Sequence, residues 1–351
     1  MPEDKSVVRP LWSGESKRKE GLFWLDKNEI TINECIDFNN LILKSLSPKD
    51  LAVYPELGKI YDLLLKLFGI GEENSLLVNG ADGGIREVIL SFSKNASVII
   101  LDPTFAMISV YPKNLLRDVI QIQYKSIDQK ISFDFDDLLR KIHDSKKPPL
   151  VILASPDSPT GSLLLISDLI ILKKQIESKG GLLLFDATYG MYVGYEYFLE
   201  AINISRDSKS VLLTASLSKS PGLAGARLGL LSGPENLISK IRSLRPMYEM
   251  GSIQSQILLF VLENWNICLE IINQTLINKK DLEMILKKES SSVLETYGNF
   301  TLFKPTPKIE KVLKGLCYYR DSFNSDCLRG YSRLSSPPIE FNLELKKGLK
   351  L

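Results

Sequence analysis

The stretch Ser216-Leu217-Ser218-Lys219-Ser220-Pro221-Gly222-Leu223-Ala224-Gly225-Ala226-Arg227 places a lysine, several hydroxyls and an arginine in one Gly/Pro-rich loop after an apolar run. A lysine at a strand end becomes a Schiff-base nucleophile once desolvation or a neighbouring cation lowers its pKa. Ser216, Ser218 and Arg227 supply donors suited to a phosphate. Taken alone, the same residues also read as a solvated loop.

Other segments repeat the pattern of a polar group at the end of an apolar run. Leu182-Leu183-Leu184-Phe185-Asp186 delivers a carboxylate to a sheet edge, with Tyr189 three residues on. A buried carboxylate needs a cationic partner, and a protonated pyridine nitrogen would serve. Ser155-Pro156-Asp157-Ser158-Pro159-Thr160-Gly161 is a turn after another such run, and without its neighbours is only a Pro/Gly turn. Asn79-Gly80-Ala81-Asp82-Gly83-Gly84 opens an apolar helix whose first amides are free to meet an anion. Asp102-Pro103-Thr104-Phe105 brings an aromatic ring to the same edge, where core packing is its simpler role.

The elements that must position these groups alternate. Ser97–Leu101, Val119–Tyr124, Leu150–Ala154, Leu182–Phe185 and Val211–Ala215 read as buried strands. Helical patterns lie around Gly83–Lys94, Phe133–Asp144 and Ile166–Lys179. This order predicts an α/β unit with a mostly parallel central sheet flanked by helices, which binds ligands outside the carboxyl ends of its strands. From Pro234 longer helices follow, Ile253–Trp265 and Cys268–Lys287, then strand-like Phe300–Lys304 and Gly315–Arg320. The expected division is an N-terminal segment 1–50 joining the small domain, a large domain 51–240 and a small α+β domain 241–351.

A chain of 351 residues holds one large domain and a smaller companion. Its formal charge of +2 and the lack of a basic stripe point away from nucleic acid. The short basic clusters Lys17–Lys19 and Lys346–Lys350 read as solvated ends. Cys35, Cys268, Cys317 and Cys327 fall at no metal-ligand spacing and read as reduced thiols of a cytoplasmic protein. A single histidine, His143, excludes a His-rich metal site and argues against a Ser-His-Asp hydrolase, so no metal is expected. The first residues lack an apolar secretory region, and no apolar run approaches a membrane span.

In their order along nearly the whole chain, these segments resemble the class I/II (fold-type I) aminotransferases, and most closely the histidinol-phosphate aminotransferase branch. Leu25-Asp26-Lys27-Asn28-Glu29 is similar to that branch's N-terminal Asn-Glu motif, and Tyr54-Pro55 to its Tyr-Pro motif. Ser155–Gly161 is similar to its Asn-Pro-Asn-x-Pro-Thr-Gly turn, and Asp186 with Tyr189 to Asp-Glu-x-Tyr. Ser216–Arg227 resembles the Schiff-base lysine motif. Arg333-Leu334-Ser335 followed by Glu340-Phe341-Asn342 resembles the substrate-carboxylate arginine motif.

The resemblance implies the fold of the PLP-dependent transferases of type I and pyridoxal 5′-phosphate (PLP) as cofactor, held by Lys219 as a Schiff base. Lys219 would then carry the proton between substrate Cα and the cofactor. Asp186 would keep the ring nitrogen protonated, Tyr189 would bond the phenolic oxygen, and Phe105 would stack on the ring. The Ala81 and Asp82 amides, Ser216, Ser218, Arg227 and Tyr54 of a partner subunit would hold the phosphate, which implies a homodimer. Arg333 would grip a substrate carboxylate, with Asn28 nearby. Arg320 is either a second substrate arginine or a surface residue at a strand end. The implied reaction moves an amino group from an amino acid, glutamate by analogy, to a small keto or aldehyde acceptor. A decarboxylase of the threonine-phosphate decarboxylase type and a non-catalytic PLP-binding protein share these motifs.

Two positions depart from the family pattern: Ser158 stands where asparagine usually contacts the phenolic oxygen, and Ala187 replaces the usual glutamate.

Overall fold

The structure, a computed structural model, describes Arg18 and residues 20–351. Lys17 and Lys19 of the basic cluster, and the first residues read for a secretory region, lie outside the described residues.

A short strand, β1 (Phe23–Trp24), comes first. The large sheet follows: β2 (Ser75–Asn79), β3 (Ser97–Asp102), β4 (Val119–Ile127), β5 (Lys130–Phe133), β6 (Pro149–Ala154), β7 (Leu182–Asp186), β8 (Val211–Ser216) and β9 (Leu228–Ser232). Their order across the sheet is β2-β9-β8-β7-β6-β3-β4-β5. The five from β8 to β4 run parallel, and the antiparallel pairings lie toward the two edges. Every residue of β6 and β8 is buried, as a strand covered by helices on both faces requires. The five strands expected for this sheet are all present, each longer by one to three residues. β2, β5 and β9 extend the sheet beyond the expected five.

Register decides what the sheet presents. Ala154 pairs with Asp186 and Asp186 with Thr214, so β6 and β7 end level and β8 runs two residues further, to Ser216. Apolar side chains of the two sheet faces feed separate clusters, one containing Leu153, Phe185 and Leu213, the other Ile152, Leu184 and Leu212.

The second, smaller sheet consists of β10 (Ser292–Leu294), β11 (Phe300–Lys304) and β13 (Ser332–Ser335), all antiparallel. Between β11 and β13 lies β12 (Cys317–Tyr318), which pairs in parallel with β1. Leu25 accordingly packs into one cluster with Leu282, Phe303, Leu334 and Phe341. The strand expected over Gly315–Arg320 is shorter than its apolar pattern. The helix Pro307–Leu316 runs through Gly315, because Thr306 caps it and Pro307 opens it.

The helices Ser252–Glu263 and Trp265–Glu289 meet at an 81° bend. Among the described residues no single helix is long and apolar enough to cross a membrane, and this bent pair passes by length and composition only. Its Leu258, Val261, Cys268 and Ile271 are buried in the core. All four cysteines are buried free thiols.

Candidate active site

A cavity of about 290 Å³ opens where β6, β7 and β8 end. Asn28, Ala81, Asp82, Phe105, Ser158, Asp186, Tyr189, Ser216, Ser218, Lys219, Arg227 and Arg333 line it, together with Lys27, Ala154, Thr188 and Ala224. Every site residue expected from the sequence is therefore present except Tyr54 and Arg320. A smaller cavity of about 50 Å³, behind Thr188 and Ser216, is lined by no titratable side chain.

Lys219 follows β8, and its Nζ donates to the Lys27 carbonyl at 2.8 Å. Its pKa is lowered to about 8, first by burial, then by the fields of Arg333 and Arg227. Such an amine is partly neutral near physiological pH, as a nucleophile or general base must be.

Asp186, at the end of β7, is buried and has its pKa raised to about 6, chiefly by burial and further by Asp82. Its Oδ1 accepts from Thr188 N at 3.0 Å and from Thr188 Oγ1 at 2.6 Å. Among the described residues no side-chain cation pairs with it. A buried carboxylate in this state is built for a cation brought in by a ligand.

At the other end of the cavity the donors converge. Ser216 Oγ donates to Ser218 Oγ at 2.8 Å, and Arg227 Nη1 donates to Ser218 Oγ at 3.3 Å. The helix Gly80–Phe92 begins here, with Ala81 and Asp82 in its first turn. Gly80 has φ +68°, and a Cβ on it would lie 2.8 Å from Arg227 Nη2, so only glycine lets the guanidinium reach the helix start. Free amides, hydroxyls and a guanidinium together form an anion site. The Asp82 side chain is itself occupied, accepting from Tyr111 Oη at 2.9 Å.

Arg333 comes from β13 and reaches the cavity from the small sheet. Nη1 donates to Ser158 Oγ at 3.2 Å and Nη2 to the Asp26 carbonyl at 2.9 Å, while Nε is buried without a partner. The guanidinium lies 5.4 Å from the centre of the Phe300 ring. Burial lowers its pKa, as does Arg320, and among the described residues no carboxylate pairs with it. Tyr189 Oη accepts from Asn28 Nδ2 at 2.8 Å and also meets the Ser158 hydroxyl. Asn28 adopts φ 55°, a left-handed conformation asparagine tolerates, and its N–H donates to Ser335 Oγ at 2.8 Å. Phe105, 38% exposed, stands at the rim.

Two expected residues lie elsewhere. The exposed Tyr54 stacks on Tyr248 with ring centres 4.1 Å apart. Arg320 pairs with Arg333 through the backbone only; its Nε donates to the Ser322 carbonyl at 3.0 Å and its guanidinium lies over Phe323. Arg245 is ion-paired with Glu249 and donates to the Leu77 carbonyl at 2.7 Å, outside the cavity.

A family model described as aminotransferase class I and II matches residues 23–305. The chain belongs to this family. The aminotransferase is 28% identical over 335 residues to a histidinol-phosphate aminotransferase of Clostridium novyi, covering 93% of this chain and 90% of that one. In fold it is similar to the histidinol-phosphate aminotransferase of Sinorhizobium meliloti solved with pyridoxal-5′-phosphate. There the TM-score is 0.78 at 17% identity, covering 93% of this chain and 89% of that one. It is also similar to the L-threonine-O-3-phosphate decarboxylase of Porphyromonas gingivalis, with a TM-score of 0.75 at 16% identity, covering 94% of this chain and 98% of that one.

The cofactor of this aminotransferase is pyridoxal 5′-phosphate, and the cavity fits it. An amine of lowered pKa, a buried carboxylate lacking a cation and an anion site lie around one volume. They match the aldehyde, the ring nitrogen and the phosphate of that molecule.

Two participants escaped sequence reading, and a third residue, a buried acid, lies outside the cavity lining. Thr188 holds Asp186 by the two bonds given above, and a hydroxyl two residues after a strand-end aspartate is a signal for such a turn. The Lys27 carbonyl has no side-chain signature. Asp157, fully buried, accepts from Thr104 Oγ1 at 2.9 Å and Tyr124 Oη at 3.0 Å. Burial raises its pKa to about 8. Asp157 sits in the turn three residues after β6, where the strand-end rule that flagged Asp186 does not reach.

Proposed function

We propose that the enzyme transfers an amino group from an amino-acid donor, glutamate, to a small keto or aldehyde acceptor of the histidinol-phosphate type. The observation that carries this reading is Arg333, a half-buried arginine whose Nε is buried and unpartnered, beside Lys219. A planar fork of that kind suits a carboxylate held by two bonds. The sequence relatives named histidinol-phosphate aminotransferase support the acceptor class.

When bound, pyridoxal phosphate supplies an aldehyde that takes up the amino group and a ring that withdraws electrons from substrate Cα. The chain's own residues do the rest. Lys219 would hold the aldehyde and, once released, would carry the proton from the donor's Cα to the aldehyde carbon and from there to the acceptor's Cα, for which a pKa of about 8 is suited. Asp186 keeps the ring nitrogen protonated. Tyr189, steadied by Asn28, donates its hydrogen to the phenolic oxygen. Phe105 covers the ring face.

Ser216, Ser218, Arg227 and the first amides of the helix at Gly80 hold the phosphate, joined by Tyr54 of a second subunit. Ser158 steadies Arg333, so the shorter side chain serves the substrate arginine where asparagine would serve the cofactor. Arg320 stands outside the cavity and would act on a distal anionic group of the substrate at its mouth. The enzyme works as a homodimer in the cytoplasm, and its chain divides into an N-terminal segment 1–50, a large domain 51–240 and a small domain 241–351.

The reading is tested by recording the visible spectrum with pyridoxal phosphate and adding amines singly. Glutamate and histidinol phosphate are expected to convert the lysine-bound absorption to that of the amino form. Carbon dioxide release without that conversion would replace transamination by decarboxylation.

A further inference from the structure

The acidic turn after β7 reads Asp186-Ala187-Thr188-Tyr189, and its third residue touches the cavity as well as the carboxylate. Both bonds that Asp186 accepts there come from Thr188, one from the backbone and one from the hydroxyl, and both end on Oδ1. At 2.6 Å the hydroxyl bond has the length of a charge-assisted O–H···O⁻ contact. Among the described residues Oδ2 accepts no bond, although the side chain lines the cavity. The carboxylate is thus held by one oxygen and open at the other.

We propose that Thr188 is a positioning residue for the cofactor: its N–H and hydroxyl fix Asp186 Oδ1 and leave Oδ2 to the protonated ring nitrogen. This rests on the assignment of the cavity to pyridoxal phosphate. The asymmetry is what a ring nitrogen requires, since it offers a single N–H. A carboxylate tied through both oxygens would offer the nitrogen a more crowded acceptor, and an unbonded one would have to lose rotational freedom. The hydroxyl also acts on the charge. Burial drives Asp186 toward its neutral form, Asp82 adds to that, and the two bonds from Thr188 oppose both. Ala187 contributes only its backbone to the turn, donating to the Thr214 carbonyl at 2.8 Å. Thr188 is therefore the side chain in this turn that tunes the carboxylate.

The test compares Thr188→Val, which keeps the shape and the backbone N–H bond, with Thr188→Ser, which keeps the hydroxyl. Two quantities are read for each: the dissociation constant of pyridoxal phosphate, and the titration of Asp186 in the cofactor-free protein by NMR of labelled aspartate. Thr188→Val is expected to bind the cofactor about ten- to a hundredfold more weakly, the range for losing a hydrogen bond to a charged group. Its Asp186 should titrate above the value near 6 of the parent protein. Thr188→Ser should restore both quantities, which a purely steric role would not do. Equal affinity and an unmoved titration in Thr188→Val would overturn the proposal while leaving the cofactor assignment intact. A parent protein that binds no pyridoxal phosphate would overturn both.

Discussion

Lys219 Nζ donates to the backbone carbonyl of Lys27 across 2.8 Å, so the reactive amine of the large sheet rests on the segment whose Leu25 carbonyl accepts from Ser335 N of the small one. Asn28, the next residue, bonds Tyr189, and Asp26, the preceding one, accepts from Arg333. Three consecutive residues thus connect the nucleophile, the phenol and the guanidinium. Ordering this segment orders the site.

Removing the amine is the first test. Lys219→Ala is expected to retain pyridoxal phosphate without its lysine-bound absorption and to lose turnover by at least about 10²–10⁴-fold, the contribution of a positioned acid–base group. Absorbance spectra and an amino-transfer assay check this. Full turnover by the variant would refute the role of Lys219.

The cationic neighbour sets that amine's pKa. Arg333 stands second after burial among the causes that lower Lys219 to about 8. Removing a positive charge eases protonation, so Arg333→Gln should move the Lys219 titration upward. The pH dependence of cofactor capture by the apoprotein would report it. Arg333→Lys keeps the charge but not the planar fork; kcat/KM for glutamate should fall about ten- to a hundredfold while cofactor affinity holds. Weakened cofactor binding with an unchanged kcat/KM would move Arg333 out of the substrate site.

Much of this arrangement was legible in the sequence because one rule governs it. Apolar runs such as Leu182–Phe185 are buried strands in register, so the polar residue ending each arrives at the same edge. Residues placed by turn geometry were not legible in that way. Thr188 matters through where its hydroxyl points, and Lys27 through a carbonyl any residue could supply. Arg320 and Arg333, thirteen residues apart, do meet, but as backbone partners, and the Arg320 side chain turns to Ser322 and Phe323. Pairing across an antiparallel bridge fixes backbones and leaves side chains to local contacts. The short β12 was overestimated because Thr306 and Pro307 start a helix that competes for the same apolar residues.

Asp157 gives a stability prediction with a definite sign. Its carboxyl has an ordinary pKa of 3.8, raised to about 8 in the fold, chiefly by burial. Between those values the folded form keeps a proton that the unfolded chain has released, so stability falls as pH rises through the window. Asp186, with its midpoint near 6, is mostly ionised a unit above that, leaving Asp157 as the main buried acid still titrating toward 8. Asp157→Asn retains a neutral group of similar shape and should flatten the decline in melting temperature between pH 6 and 8. An equally steep decline in the variant would show that Asp157 is already ionised in the fold.

Tyr54 offers the test of assembly. Its side chain is 73% exposed and lies away from the cavity of its own subunit, stacked on Tyr248. Leu51, Leu244 and Met247 are exposed at 77%, 67% and 86%, a large apolar area for a surface facing water. If Tyr54 serves the phosphate in a partner's site, Lys219→Ala and Tyr54→Ala chains fail for complementary reasons. A mixed dimer of the two holds one site with both the lysine and the tyrosine intact. Mixing the variants under conditions that exchange subunits should restore activity that neither possesses alone, with sedimentation giving the mass of a dimer. Tyr54→Phe, which keeps the ring stack, should lose only the phosphate bond and weaken cofactor binding about tenfold or more. An active monomer, or no recovery on mixing, would place Tyr54 outside the chemistry and assign its exposed ring to some other contact.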